Sequence, residues 1–141
     1  MRNTAQAMSE ENVEIVRRLN EAFNSGDTEA SLDLYAPDAE VRDLANAPDQ
    51  APAIRGREAI KEAWSLWTDA FEEFRADIED YTDKGDTVIC AVHWIGQGRS
   101  SSMSIDVRQF DVTRLRDGQA ISTTLGYRSM EEALEAAGLS E

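Results

Sequence analysis

The hydrophobic period of this chain changes near Phe74, and that change limits what the chain can fold into. Before it, apolar side chains recur mostly at i, i+3, i+4 and i+7; after it, they alternate along segments divided by turn residues. Helices gathered at one end of a sequence and strands at the other make an α+β arrangement rather than a βαβ weave.

In the helical part, Ser9 followed by Glu10 and Glu11 marks a helix start, and Val13, Val16, Leu19, Ala22 and Phe23 form its buried stripe up to Asn24, Ser25 and Gly26. Asp27 can cap a second, shorter helix carrying Leu32, Leu34 and Tyr35, which Pro37 and Asp38 stop. Residues 39–43, AEVRD, then read as a short early strand. The segment 44–55, LANAPDQAPAIR, reads as a surface loop or lid. Gly56 opens a third helix with the stripe Ile60, Ala63, Trp64, Trp67, Ala70 and Phe71.

Four strands follow: FRADIEDYT (74–82), TVICAVHWIGQG (87–98), SMSIDVRQFDVTRLR (102–116) and AISTTLGYR (120–128). Their short connections suit an antiparallel sheet. Ser129 and Glu132 form a capping box for a last short helix. Helices stacked on one face of a curved sheet leave a concave space, and apolar pockets with a few polar groups favour such places.

A chain of 141 residues is expected to form one domain over residues 9–139, with residues 1–8 as a flexible N-terminal tail. Its net charge of −14 repels phosphate backbones and anionic lipid heads, so neither nucleic acid nor a membrane is an expected partner. Cys90 is the only cysteine, which excludes an internal disulfide, and no cluster has metal-ligand spacing. No glycine-rich phosphate loop or nucleophile elbow is present, so no metal or organic cofactor is expected. The opening MRNTAQAMS lacks the apolar stretch of a signal peptide, and the expected location is cytoplasmic.

The run from Val13 to Asp43, with NSGD and LDLYAPDAEV, followed by IRGREAIKEAW, GDTVICAVHWIGQGR, DVTRLRDGQAI and EEALEAAGL, resembles the SnoaL-like branch of the nuclear transport factor 2-like superfamily. The resemblance covers about residues 10–139. It implies a cone-shaped, mostly antiparallel sheet wrapped against three N-terminal helices, a deep pocket, and a homodimer through the outer sheet face. It does not fix one function, because the superfamily includes polyketide cyclases, steroid isomerases, dehydratases, epoxide hydrolases and non-catalytic binding domains.

By that resemblance, Asp43 falls where ketosteroid isomerases place their general base. Asp111 falls at or near the carboxylic acid that those enzymes keep protonated. Leu19 stands at the position of their helix-1 tyrosine. Dehydratases of this superfamily use a histidine pair, whereas His93 is the only histidine here. Epoxide hydrolases use an arginine flanked by two aspartates, whereas here Asp106 and Arg108 are in the opposite order and Gly126 matches the last aspartate.

Strand alternation independently sets Asp43 on the side of Ala39 and Val41, and Asp111 on the side of Val107, Gln109, Thr113 and Leu115. Two carboxylates in one apolar pocket cannot both ionise cheaply, which leaves a proton donor beside an acceptor. The alternatives are that Asp43 ends its strand in water and that Asp111 pairs with an arginine such as Arg108 or Arg114. His93 shares a face with Ile89, Ala91 and Ile95, opposite Val88, Cys90, Val92 and Trp94. It is an auxiliary acid or base if that face is the concave one, and an ordinary core or interface residue otherwise.

Leu19, Tyr35, Trp64, Trp67 and Gln109 are the candidate substrate contacts. Phe23 and Phe71 are further rings that either stack on a flat ligand or fill the core. Asp106, Arg108, Phe110, Val112 and Arg114 form the opposite face of their strand and suit a dimer interface or a solvated surface. The expectation is a pocket for a small apolar organic ligand, with Asp43 as base, Asp111 as hydrogen-bond donor or second acid and His93 as auxiliary group, in an isomerase- or cyclase-type enzyme. The alternative is a non-catalytic dimeric ligand-binding or assembly domain.

Overall fold

The computed structural model describes residues 4–44, 53–99 and 104–138. Helices α1 (Thr4–Ser25) and α2 (Thr28–Asp33) lead into strand β1 (Tyr35–Asp43) and a two-residue strand β2 (Ile54–Arg55). Helix α3 (Arg57–Ala70) is followed by β3 (Phe71–Asp83), β4 (Thr87–Gly98), β5 (Ser104–Arg116), β6 (Gln119–Tyr127) and helix α4 (Met130–Ala136). The six strands form one sheet in the order β2-β1-β6-β5-β4-β3. Only the β1–β6 pair is parallel; the other four pairs are antiparallel.

The α+β class is therefore as expected, with β4 running over the same residues as the sequence pattern. Four differences have local causes. Helix α1 begins at Thr4, upstream of Ser9, in keeping with the high helix propensity of Ala5, Gln6, Ala7 and Met8. Tyr35 opens β1 instead of closing α2, because the Leu34 carbonyl accepts from the Ala120 amide and the Arg57 guanidinium donates twice to the Tyr35 carbonyl.

Phe71 belongs to β3, not to the preceding helix. It pairs with Gly98, and the Arg99 amide bonds the carbonyl of Ala70. Glu73, at φ 52°, lies where the register then shifts between Glu72 and Arg75. Ile54 and Arg55, assigned to the loop by the sequence, pair with Val41 and Glu40. The rest of that loop, residues 45–52, and the serine run from Ser100 to Ser102 lie outside the described residues.

Two capping expectations hold: the Asp27 carboxylate accepts from the Ala30 amide, and the Ser129 hydroxyl accepts from the Glu132 amide. Apolar packing divides between the two faces of the sheet. On the inner face, Leu19, Leu32, Tyr35, Ala39, Val41 and Ile60 join α1, α2 and α3 to β1. A second inner group sets Val16 of α1 against Ala76, Val88, Cys90 and Val92. On the outer face, Ala133 and Leu134 of α4 cover Ile89 and Val112.

Strand β3 is one end of the sheet. The side chain of Asn24, at the end of α1, pairs with it as a neighbouring backbone would: its amide nitrogen donates to the Ala76 carbonyl at 2.8 Å, and its oxygen accepts from the Ala76 amide at 2.9 Å.

Candidate functional site

The space between the helices and the inner sheet face contains two adjoining chambers, of about 100 Å³ and about 330 Å³. Phe23, Val41, Trp64, Trp94 and Leu125 line both, and so form the wall or waist between them. The smaller, inner chamber has Tyr35, Asp111, Thr113 and Thr123 among its polar lining, and Asn20 and Ser31 besides. The larger, outer chamber is apolar and aromatic, with Asp43 and Gln109 as its polar side chains. Among the described residues that line either chamber, the only charged ones are Asp43 and Asp111.

Strand alternation delivers both carboxylates. Along β1, Ala39 and Val41 are buried inward, and Asp43 continues that face at the outer chamber, beside Leu125 of β6 in the parallel register. Along β5, Asp111 lies opposite Cys90 of β4 and is only 5% exposed. It is not paired with Arg108 or Arg114; Arg108 bonds Glu79 and Arg114 bonds the Ala137 carbonyl, both on the outer face.

Three donors converge on the Asp111 carboxylate. Oδ1 accepts from the Gln109 amide nitrogen at 2.8 Å and from the Gly126 amide at 3.0 Å; Oδ2 accepts from the Trp94 indole nitrogen at 3.1 Å. Burial penalises the charged form and pushes the Asp111 pKa up to about 6. The bonds from Gly126, Gln109 and Trp94 oppose that rise, and the charge of Asp43 adds to it.

Beside this carboxylate the Tyr35 hydroxyl meets Thr123 Oγ1 at 3.2 Å, which in turn meets Thr113 Oγ1 at 3.2 Å. The three hydroxyls form a buried relay. Burial pushes the Tyr35 phenol up to about 12, so it stays neutral and can donate or accept.

Of the expected contacts, Leu19 and Tyr35 line the inner chamber, Trp67 and Gln109 the outer, and Trp64 both. His93 is not brought to the cavity. Its face of β4 is the outer one, where its Nε2 lies 2.6 Å from Asp106 Oδ1. That hydrogen bond holds the Asp106 carboxyl below its usual range. The cause of the misplacement is register: Cys90, Val92 and Trp94 share the inner face with Asp111, so the odd-numbered residues of β4 point outward.

Trp94 is the contact that residue-by-residue reasoning missed. Its alternation with Cys90 and Val92 was visible in the sequence, but its bond to Asp111 joins residues on two strands and required their pairing to be known. Among the described residues, no group of three or more histidine, cysteine or carboxylate side chains could hold a metal ion.

What remains is a buried carboxyl of raised pKa, a second carboxylate in the adjoining aromatic chamber, and a neutral hydroxyl chain. Such an arrangement can accept a proton at one point of a bound ligand and donate a hydrogen bond at another.

The family model for a SnoaL-like domain matches residues 16–123. Among solved structures, a protein of ketosteroid isomerase-like fold from Catenulispora acidiphila, in complex with trimethylamine, is 23% identical over 90% of this chain and 94% of its own, with a TM-score of 0.71. IdmH from Streptomyces antibioticus, a candidate polyketide cyclase, is 24% identical over 91% of this chain and 99% of its own, with a TM-score of 0.70. RV0760c from Mycobacterium tuberculosis, in complex with estradiol-17beta-hemisuccinate, is 17% identical over 86% and 96%, with a TM-score of 0.69. These likenesses show the fold. No curated protein matches the chain in sequence.

Proposed function

Because the chain belongs to the SnoaL-like domain family, we propose that its two chambers bind a small apolar carbonyl compound and that Asp43 and Asp111 move a proton on it without a metal or organic cofactor. The observation that carries this reading is the buried Asp111 carboxyl, raised to about 6, in a chamber that adjoins the one lined by a second carboxylate, Asp43. The Asp43 carboxylate takes a proton from the carbon next to the carbonyl. The C–H electron pair becomes the enolate double bond, and the protonated Asp111 donates a hydrogen bond to the enolate oxygen. Return of the proton to a different carbon is an isomerisation; attack of the enolate carbon on a second carbonyl of the same molecule is a cyclisation.

Leu19, Tyr35, Trp64, Trp67 and Gln109 position the ligand. The complexes of structural neighbours with an estradiol derivative and with trimethylamine are consistent with small-ligand binding by this fold. His93 has no part in this chemistry. It belongs instead to the outer face that α4 leaves bare, with Asp106 and Arg108, through which two copies pair.

The test needs no knowledge of the natural substrate. Exchange of the α-hydrogens of 2-tetralone against heavy water, followed by proton NMR, is expected to be accelerated by the wild type and slowed about 100-fold or more by Asp43→Asn. The accelerated rate should fall as pH rises through the Asp111 midpoint, because the deprotonated acid can no longer donate. Equal rates in the wild type and Asp43→Asn would remove the base from the proposal.

A further inference from the structure

We propose that Trp94 is the positioning residue of this site: its indole N–H fixes Oδ2 of Asp111 at the inner chamber while its ring walls the outer one, so a single side chain ties the occupant of the outer chamber to the orientation of the inner carboxylate. The inference rests on the reading of Asp111 as a working group.

The hydrogen bonds divide unevenly between the two carboxylate oxygens. Oδ1 accepts from both Gln109 and Gly126, whereas Oδ2 accepts from Trp94. Oδ2 is therefore the oxygen with room to take a proton or meet a ligand, and the indole is what aims it. Donors on both oxygens also stop rotation about the carboxyl bond.

The spacing calls for a long side chain. Trp94 lies opposite Val107, while Asp111 lies opposite Cys90. That four-residue offset is about 13 Å along a strand at ~3.3 Å per residue. The indole of Trp94 spans this offset and brings its N–H to 3.1 Å from Oδ2.

The ring is held from the outer side. Phe74 stacks on it at 5.3 Å between centroids, and Phe23 meets it edge-on at 5.7 Å. Phe23, Phe74 and Trp94 all line the outer chamber, so an occupant packed against that wall bears on the ring, and a shift of the ring would lengthen the bond to Oδ2.

Of the other titratable groups, Asp43 at the end of β1 acts on Asp111, and the Asp111 charge in turn raises Tyr35 at the start of β1 and Cys90 on β4. His93 and Asp106 lie on the opposite sheet face. None of these donates to Oδ2, so replacing the indole nitrogen isolates the contact.

The deciding experiment is a carbon NMR titration of the Asp111 carboxyl in the wild type and in Trp94→Phe, which keeps a ring and loses the N–H. A donor to the charged form lowers a carboxyl pKa, so its removal should raise the Asp111 midpoint by about one unit. An unchanged midpoint would overturn the proposal.

Should Trp94→Phe fail to fold, the double variant Trp64→Phe, Trp67→Phe leaves Trp94 as the only tryptophan. Its fluorescence should then titrate with the Asp111 midpoint and lose that transition on adding Asp111→Asn. Emission that ignores Asp111 would equally overturn the proposal. Neither readout requires turnover. If 2-tetralone exchange is absent while these shifts are present, the proton-transfer reading fails and the positioning role stands.

Discussion

At the residue scale, Asp111 shows burial winning over hydrogen bonding. Three donors would hold an exposed carboxylate well below its ordinary pKa, yet the loss of solvent pushes this one up to about 6. The sign for stability follows. The folded pKa lies above the unfolded value of 3.8, so the stabilisation from this proton is fully present below about pH 4 and is lost as pH rises through about 6. Relative to Asp111→Asn, the wild type should therefore lose stability by on the order of 1 kcal/mol per pH unit below pH 6 and become flat above pH 7. Urea denaturation of both proteins across pH 5 to 8 checks the slope, and parallel curves would contradict the raised pKa. The inward direction of Asp43 and Asp111 was legible from alternation alone, because period two is a property of the strand. The company of Asp111 was not legible, since Trp94 and Gly126 come from other strands and only the register brings them in.

At the element scale, the change of hydrophobic period was enough to order helices and strands, and turn residues set the ends of β4 and β6 to within a residue. The misses fall where tertiary pairing overrides local pattern. Tyr35 and Phe71 fit helical stripes but are drawn into strands by β6 and β4, and β2 is too short to show a period at all. Gly96 shows another such dependence. A Cβ built there would come within 2.9 Å of the Phe74 ring, so the bare backbone of β4 is what allows that ring to lie flat beside Trp94. Gly96→Ala should force the ring to move and cost about 1–3 kcal/mol, as overpacking does. A lowered denaturant midpoint would show it; an unchanged midpoint would mean that Phe74 moves aside freely and does not support the indole.

At the scale of the whole molecule, charge is the dominant fact. Each copy carries −14, so two copies meeting through the outer sheet face repel over distances that salt screens. On that face His93 and Arg108 are already matched within one copy by Asp106 and Glu79, and Ile95 offers an apolar contact by alternation with His93. Association measured by sedimentation should strengthen between 20 and 300 mM salt, and Ile95→Arg should shift the population to single copies; mass independent of both would remove the pairing. The same sheet must also avoid pairing without limit. Strand β3 is thirteen residues long and ends the sheet, a template on which any extended chain could lengthen it into a fibre. The Asn24 amide occupies one of the positions such an intruder would need, and Glu72, Glu73, Asp77 and Glu79 charge the strand around it. A side chain at the end of the first helix thus fills a place that an intruding strand would have to take, bonded to the edge strand through a single residue.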